Sequence, residues 1–567
     1  MKQILQNFKT GVLSVDDVPV PKVQDNGLLV KNAFSLISAG TERSSVELAR
    51  KSLLGKAKSR PADVKKLIKL AKKQGIRNAY KTAMNRLDTP TPLGYSSAGI
   101  VMEVGKDVQG FKVGDRVACA GGGYASHAEV IFVPENLCVK VPKGVGLDWA
   151  AFTTLGAIAM QGIRQADLRV GENVAVIGLG LLGQLSIQIL KASGCRVVGI
   201  DLESDKVKLA KKCGADEVIL RSENATYLVE HFTDGKGVDA VIITAATSSN
   251  DPFLLAPQIC RDRARVVLVG VAKLDFPREP YYRKELSLLL ARSYGPGRYD
   301  TLYEEAGIDY PIGYVRWTEK RNMEAVLNLM AEGKLNIAPL ISHGFKITEA
   351  KRAYDIVLGK TEDKPLGILF EYDTEKEHES KIIISKSRPA LSAMPSAINV
   401  GFIGPGNFAK SFLLPNMKYE EANLIGVADV RGTNSKMVAQ KFGYKYCTTE
   451  YKQLLDDTTI TTIFIATRHN LHAQLIMESL KAGKHVFCEK PLCLDKKELT
   501  QILKVRSTPS ALSTLLFVGF NRRFAPLTME AKSFMGDKVV PYIINYRINA
   551  GNLPQDHWLL DIKQGGG

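Results

Sequence analysis

The stretch ENVAVIGLGLLGQLSIQILKASGCRVVGID, residues 172–201, decides the reading of the fold. An apolar strand pattern runs into GLGLLG at Gly178–Gly183, a helix pattern follows, and a second strand pattern ends in Asp201. In such a unit the first glycine permits a tight strand-to-helix turn and the second lets the backbone approach a pyrophosphate. The third lets helix and strand pack closely. Gly178, Gly180 and Gly183 therefore read as a dinucleotide cradle whose phosphates rest on a helix N-terminus. Asp201 lies 23 residues past Gly178, close to the roughly 20 expected of an acid that hydrogen-bonds a ribose 2′-OH and repels a 2′-phosphate. This cradle is expected to take NAD rather than NADP.

A second copy, INVGFIGPGNFAKSFLLPNMK at residues 398–418, carries Gly404, Gly406 and Ala409 in the three small-residue places. The strand pattern ANLIGVADV that follows reaches Asp429, 25 residues past Gly404. Arg431 blurs the preference, so NAD is expected here with NADP left open. A glycine turn in an ordinary βαβ unit would share these residues, but the strand, turn, helix and strand context argues against that reading at both places. Two fingerprints in one chain point to a fused pair of dehydrogenases.

The 567 residues exceed what one hydrophobic core organises and predict roughly three to four domains. Apolar content of 45% and charged content of 24% are those of ordinary globular protein. No apolar run reaches the roughly 18 residues of a membrane span, and MKQILQNFKTG lacks the apolar core of a signal peptide. The eight cysteines form no CxxC pair, which predicts a reduced, cytoplasmic protein without a zinc cluster. Much of the net charge of +17 lies between Arg50 and Arg86. There Val64, Leu67, Ile68 and Ala71 keep helical spacing, with Lys65, Lys66, Lys69, Lys72 and Lys73 largely off the stripe. That pattern reads as a helical insertion with a solvated basic face, a lid or a subunit contact. An anionic polymer or membrane surface is the alternative partner, and nucleic acid is not expected because no recognition motif accompanies the charge.

The expected fold class is α/β. Residues 1–150 form a β-rich, partly barrel-like domain with the basic helical insertion at 45–90, and 151–300 form a doubly wound, dinucleotide-binding domain. Residues 301–372 return to the first domain, with GILFEYD as last strand, and 373–397 read as a charged linker with one short strand. Residues 398–522 form a second Rossmann domain, with strands in TTIFIAT, KHVFCEK and STLLFVGF. Residues 523–567 read as the start of an α+β substrate domain.

The order SAGTE, LGYSSAGIVMEVG, FKVGDRVA and GLGLLG across residues 1–372 resembles the medium-chain dehydrogenase/reductase family, whose first domain is GroES-like. Zinc-dependent members of that family carry a cysteine in a CGTD-like turn and a histidine–glutamate pair in GHE. The corresponding residues here are Ala39, Tyr95 and Ser96, which cannot make the usual tetrahedral site, so the resemblance implies a zinc-independent member. Tyr95 is then the candidate catalytic residue. Thr41, Glu42, Tyr124, His127 and Thr154 lie in motifs that border the family's cleft, although a purely structural role is open for each.

From Ile398 onward IGPGNFA, ATRHNLHA, HVFCEKP and VGFNRRF resemble the Gfo/Idh/MocA oxidoreductases. The resemblance implies that Lys490 lies near nicotinamide and substrate, where an ammonium positions and polarises a hydroxyl or carbonyl. It further implies that Glu489 and Pro491 line the cofactor pocket and that Thr467, His469, Asn470 and His472 lie along the nicotinamide side. The chain stops at WLLDIKQGGG, where that family continues into its substrate sheet, and Asp556 and His557 read as substrate-loop residues. The expected function is a two-site NAD-dependent oxidoreductase, homo-oligomeric, acting on a sugar or sugar nucleotide, with a place in polysaccharide biosynthesis. The alternative is an NAD-binding regulator or scaffold without turnover.

Overall fold

A computed structural model describes residues 1–221, 224–384, 398–417, 422–536, 541–547, 553 and 558–566. Asp556 and His557 lie outside the described residues. Contacts divide the chain into two units, Met1–Asp17 with Val23–Glu377, and Val18–Lys22 with His378–Gly567.

The β-rich part of the first unit is built on the strand Gly27–Ile37, whose residues are buried along both faces. Its sheet runs in the order Ile341–Lys346, Gly367–Glu371, Gly27–Ile37, Ser96–Val104, Arg116–Ala120, Cys138–Lys140, with Val130–Pro134 also paired to the central strand. Gly367–Glu371 lies antiparallel to the central strand, with Ile368 opposite Ile37. The basic stretch forms helices Leu53–Ser59, Pro61–Gln74 and Ile76–Asp88, preceded by Ala39–Arg50. Pro61 starts its helix where no N–H is needed. Val64, Leu67 and Ala71 are half-buried, but Ile68, expected on the same stripe, is exposed. One face of this short helix is too narrow to cover all four positions.

The parallel sheet of the first unit has six strands. Counted along the chain from Asn173–Ile177, they lie in the order 3-2-1-4-5-6. Alternate residues supply its two faces. Val174, Val176, Val197, Ala240, Ile242 and Val267 pack on one side, and Ala175, Ile177, Val198, Val241, Ile243 and Val266 on the other. A strand sandwiched between helix layers needs apolar residues at every position, which is why NVAVI and VDAVII read as continuous apolar runs.

The second unit repeats this plan from Ile398–Ile403, again 3-2-1-4-5-6, with the short linker strand Lys381–Ile383 added antiparallel at the edge. The expected strands appear as Thr462–Ile465, His485–Glu489 and Leu516–Gly519. The helical run after GPGNFA differs from a regular helix: a wide turn at Ala409–Leu413 passes into a tight one at Leu414–Asn416. Pro415 has no N–H to donate, so the regular ladder cannot continue there. Val18–Lys22 belongs to this unit. The Thr449 hydroxyl donates to the Val20 carbonyl at 2.6 Å, Lys22 pairs with Glu450 at 2.8 Å, and a Cβ on Gly432 would sit 1.9 Å from the Pro19 carbonyl.

Candidate dinucleotide and substrate sites

In the first unit the glycine loop leaves the first strand at the point where strand order reverses, the ligand crevice of an open parallel sheet. Gly178 has φ +97°, and a Cβ there would lie 2.6 Å from the Ala245 nitrogen. A Cβ on Gly183 would lie 2.1 Å from the Gly178 carbonyl. These two glycines are required by the fold itself. Gly180 is different, because a Cβ there would meet nothing within 4 Å. The space it leaves open lies at the start of helix Leu181–Ala192, which has no side-chain cap, so its first N–H groups face the place a pyrophosphate would take. Asp201 accepts hydrogen bonds from the Leu179 nitrogen at 2.6 Å and the Glu203 nitrogen at 2.9 Å. Each carboxylate oxygen has a further lone pair for a ribose hydroxyl. The residues fit a dinucleotide.

Tyr95 is half-buried, and burial pushes its phenol above the usual value while hydrogen bonds from Ser38 and Thr41 oppose that. The phenol therefore stays protonated, a donor. Glu42 and His127 are buried rather than cleft-lining. The Glu42 carboxylate accepts from the Ser38 nitrogen at 3.0 Å and from the Tyr354 hydroxyl, and lies 3.1 Å from His127 Nε2. His127 Nδ1 lies 2.7 Å from Ser35 Oγ, which lies 2.6 Å from the Tyr372 hydroxyl. One neutral tautomer satisfies every group: His127 donates from Nε2 to Glu42 and accepts at Nδ1 from Ser35, which accepts from Tyr372. Gly94, at φ +91°, makes room for this, since a Cβ there would lie 2.8 Å from the His127 nitrogen. Thr154 is buried with its hydroxyl 3.3 Å from the Cys119 carbonyl, and Thr41 is exposed beside Tyr95. Ser96 donates to the Ala151 carbonyl at 2.6 Å. Among the described residues no group of three or more His, Cys, Asp or Glu is placed to hold a metal. Sequence reading missed Ser35, Ser38, Tyr354 and Tyr372, because no local motif joins residues as far apart as Glu42 and Tyr354.

In the second unit Gly404 has φ +75°, and a Cβ would lie 2.4 Å from the Thr467 methyl. That contact places Thr467 against the loop. Gly406 again leaves open space, with only the Gly404 carbonyl at 4.0 Å. Ala409 is buried, and the Asp429 carboxylate accepts from the Arg431 nitrogen at 2.9 Å and from Asn434 at 2.6 Å. Lys490 follows the strand His485–Glu489 and is exposed, whereas Glu489 is buried and its carboxyl pushed up by that burial. His472 is buried too, its Nδ1 2.6 Å from the Pro491 carbonyl and its Nε2 3.3 Å from the Thr467 carbonyl. Burial lowers its basicity. A neutral ring carries one N–H, so it donates to one of these carbonyls, and the shorter contact is to Pro491, next to Lys490. His469 stacks edge-on against Trp558 and lies 2.9 Å from the Gly565 carbonyl.

Three family models match the chain. Residues 61–143 match the alcohol dehydrogenase GroES-like domain, 182–306 a zinc-binding dehydrogenase domain, and 398–515 an oxidoreductase family with NAD-binding Rossmann fold, Gfo/Idh/MocA. This chain is an oxidoreductase. Its earlier part is similar to alcohol and zinc-binding dehydrogenases, and its later part to the Gfo/Idh/MocA oxidoreductases. Relatives described as "Probable D-xylulose reductase A", from Emericella nidulans and Aspergillus clavatus, are each 26% identical over 307 residues, which is 48% of this chain and 78% of theirs. Galactitol-1-phosphate dehydrogenase from Escherichia coli shares the fold, with TM-score 0.51 and 20% identity over 65% of this chain and all of that one. An Escherichia coli oxidoreductase of unknown specificity involved in membrane biogenesis does likewise, at TM-score 0.50 and 16% identity over 66% of this chain and all of that one.

Proposed function

We propose that this oxidoreductase holds NAD at both cradles and moves hydride to or from a hydroxyl- or carbonyl-bearing carbon of a sugar or sugar nucleotide, in the making of a polysaccharide. The observation that carries the reading is the paired opening at Gly180 and Gly406, each at the reversal point of a 3-2-1-4-5-6 sheet. The relatives named for a xylulose reductase support a polyol or ketose class of substrate. When bound, the dinucleotide supplies the hydride chemistry. The chain supplies orientation and proton positions. In the first module the Tyr95 hydroxyl donates to the substrate oxygen, and Ser38 and Thr41 hold that hydroxyl in place. The first module works without zinc in this reading. Ala39 offers no ligand atom, Ser96 is spent on a carbonyl, and a protonated phenol replaces an imidazole. In the second module the Lys490 ammonium holds the substrate oxygen, with Glu489 and Pro491 fixing its turn. Thr41 completes the first substrate environment, and His472 supports the second by positioning.

Two further readings belong with this one. The last strand of the first parallel sheet, Ser287–Leu290, has a free edge with Leu290 60% exposed, which supports a homo-oligomer formed along that edge. Eight cysteines without a disulfide fit a cytoplasmic setting. Calorimetric titration of NADH into the chain and into Gly180→Val and Gly406→Val variants tests the proposal. Two sites lost one at a time are expected. No loss at either variant would overturn it.

A further inference from the structure

The helical insertion of the first unit is left over by this chemistry. Residues 50–86 contain thirteen lysines and arginines and one acid, Asp63, and so carry twelve of the chain's seventeen net positive charges. Asp63 lies 3.8 Å from Arg60, and no other ion pair among the described residues involves this segment. A surface that only needed to stay in water would intersperse charges of both signs. This one also exposes large apolar side chains among the lysines: Leu54 is 79% exposed, Ile76 81%, Tyr80 60% and Ile68 51%. Ile76 and Tyr80 are four residues apart in the helix Ile76–Asp88 and share a face. Leu54 and Ile68 come from the two helices before it.

We propose that this helical insertion docks on an anionic lipid bilayer, with its lysines on the headgroup phosphates and Leu54, Ile68, Ile76 and Tyr80 in the headgroup–acyl boundary. Charge alone would suit any polyanion. The aliphatic side chains decide between them, because a phosphodiester backbone or a sulfated polysaccharide offers nothing to bury a leucine or isoleucine, whereas an interfacial helix gains from both parts of such a surface. No helix of the described residues is long and apolar enough to cross a membrane, and the proposed contact is interfacial. An enzyme held this way would meet substrates carried at the membrane surface.

Flotation of the full chain with vesicles of phosphatidylcholine containing phosphatidylserine, against phosphatidylcholine alone, tests this directly. Binding to the anionic vesicles only is expected, weakening steeply with salt. Each lysine near such a surface is worth about fivefold in affinity, so Lys65→Gln with Lys69→Gln should weaken binding about thirtyfold. Leu54→Ser with Ile76→Ser should weaken vesicle binding at least fivefold while leaving retention on heparin unchanged. These positions are exposed, and an unaltered melting profile confirms that the fold is intact. Three results would overturn the proposal: no vesicle binding, vesicle binding indifferent to Leu54 and Ile76, or self-association that the Leu54 and Ile76 changes abolish in place of vesicle binding. The second would mark a general polyanion site and the third an interface between copies.

Discussion

Glu319 begins the helix Glu319–Ala331 with no exposed surface, and neither of its carboxyl oxygens has a hydrogen-bond partner among the described residues. Burial, then the nearby Glu304 and Asp300 against an opposing Arg298, push its pKa up to about 9 from an ordinary 4.5. A raised carboxyl pKa means the folded chain binds a proton that the unfolded chain releases. The folded state is therefore unpenalised below pH 4.5 and loses stability as pH rises from there through about 9. At 1.36 kcal/mol per unit, the cost at pH 7 is about 3 kcal/mol. Glu319→Gln keeps the shape and removes the titration. Its stability relative to the parent should grow by about 4 kcal/mol between pH 5 and pH 8. Any fixed penalty of a buried amide is the same at both pH values and cancels. Helix-dipole stabilisation of an ionised Glu319 is worth about 2 kcal/mol at most and does not reverse the sign. Urea unfolding followed by tryptophan fluorescence reads this well, since Trp317 lies two residues away. A constant offset between the two proteins from pH 5 to pH 8 would refute the reasoning.

Other expectations concern the two sites. Gly180→Val should leave thermal stability unchanged and abolish NADH binding at the first cradle, whereas Gly183→Val should destabilise by about 3 kcal/mol, because its Cβ must displace the Gly178 carbonyl; differential scanning calorimetry with NADH titration separates them. Tyr95→Phe should lower turnover by the first module about a hundredfold or more with cofactor affinity intact, and equal rates would remove Tyr95 from the chemistry. Lys490→Ala should abolish turnover by the second module while NADH still binds there, as stopped-flow fluorescence can show. Metal analysis of the purified chain should find less than one zinc in ten molecules, and stoichiometric zinc would overturn the zinc-free reading of the first module.

The sequence by itself determined the two parallel sheets and their cradles. A run such as NVAVIGLGLLG combines short-range demands, an apolar strand, a positive φ and a close helix approach, which few residue types meet, so its meaning survives without knowledge of the rest of the chain. The same holds for the helical, basic character of residues 50–86. Only tertiary structure decided what depends on residues distant in the chain. Glu42 and His127 read as cleft residues, but Tyr354 and Ser35 complete a buried network around them that no spacing rule anticipates. His472 was legible as a motif residue, yet its contact with the Pro491 carbonyl depends on the fold bringing that turn to the ring. Val18–Lys22 looked like part of the first domain and joins the second, because Thr449 and Glu450 complete its polar contacts from more than four hundred residues away. Local patterns encode backbone geometry and which face is apolar. The partners of buried polar groups are set by whichever strands and helices happen to converge, and that convergence belongs to the fold alone.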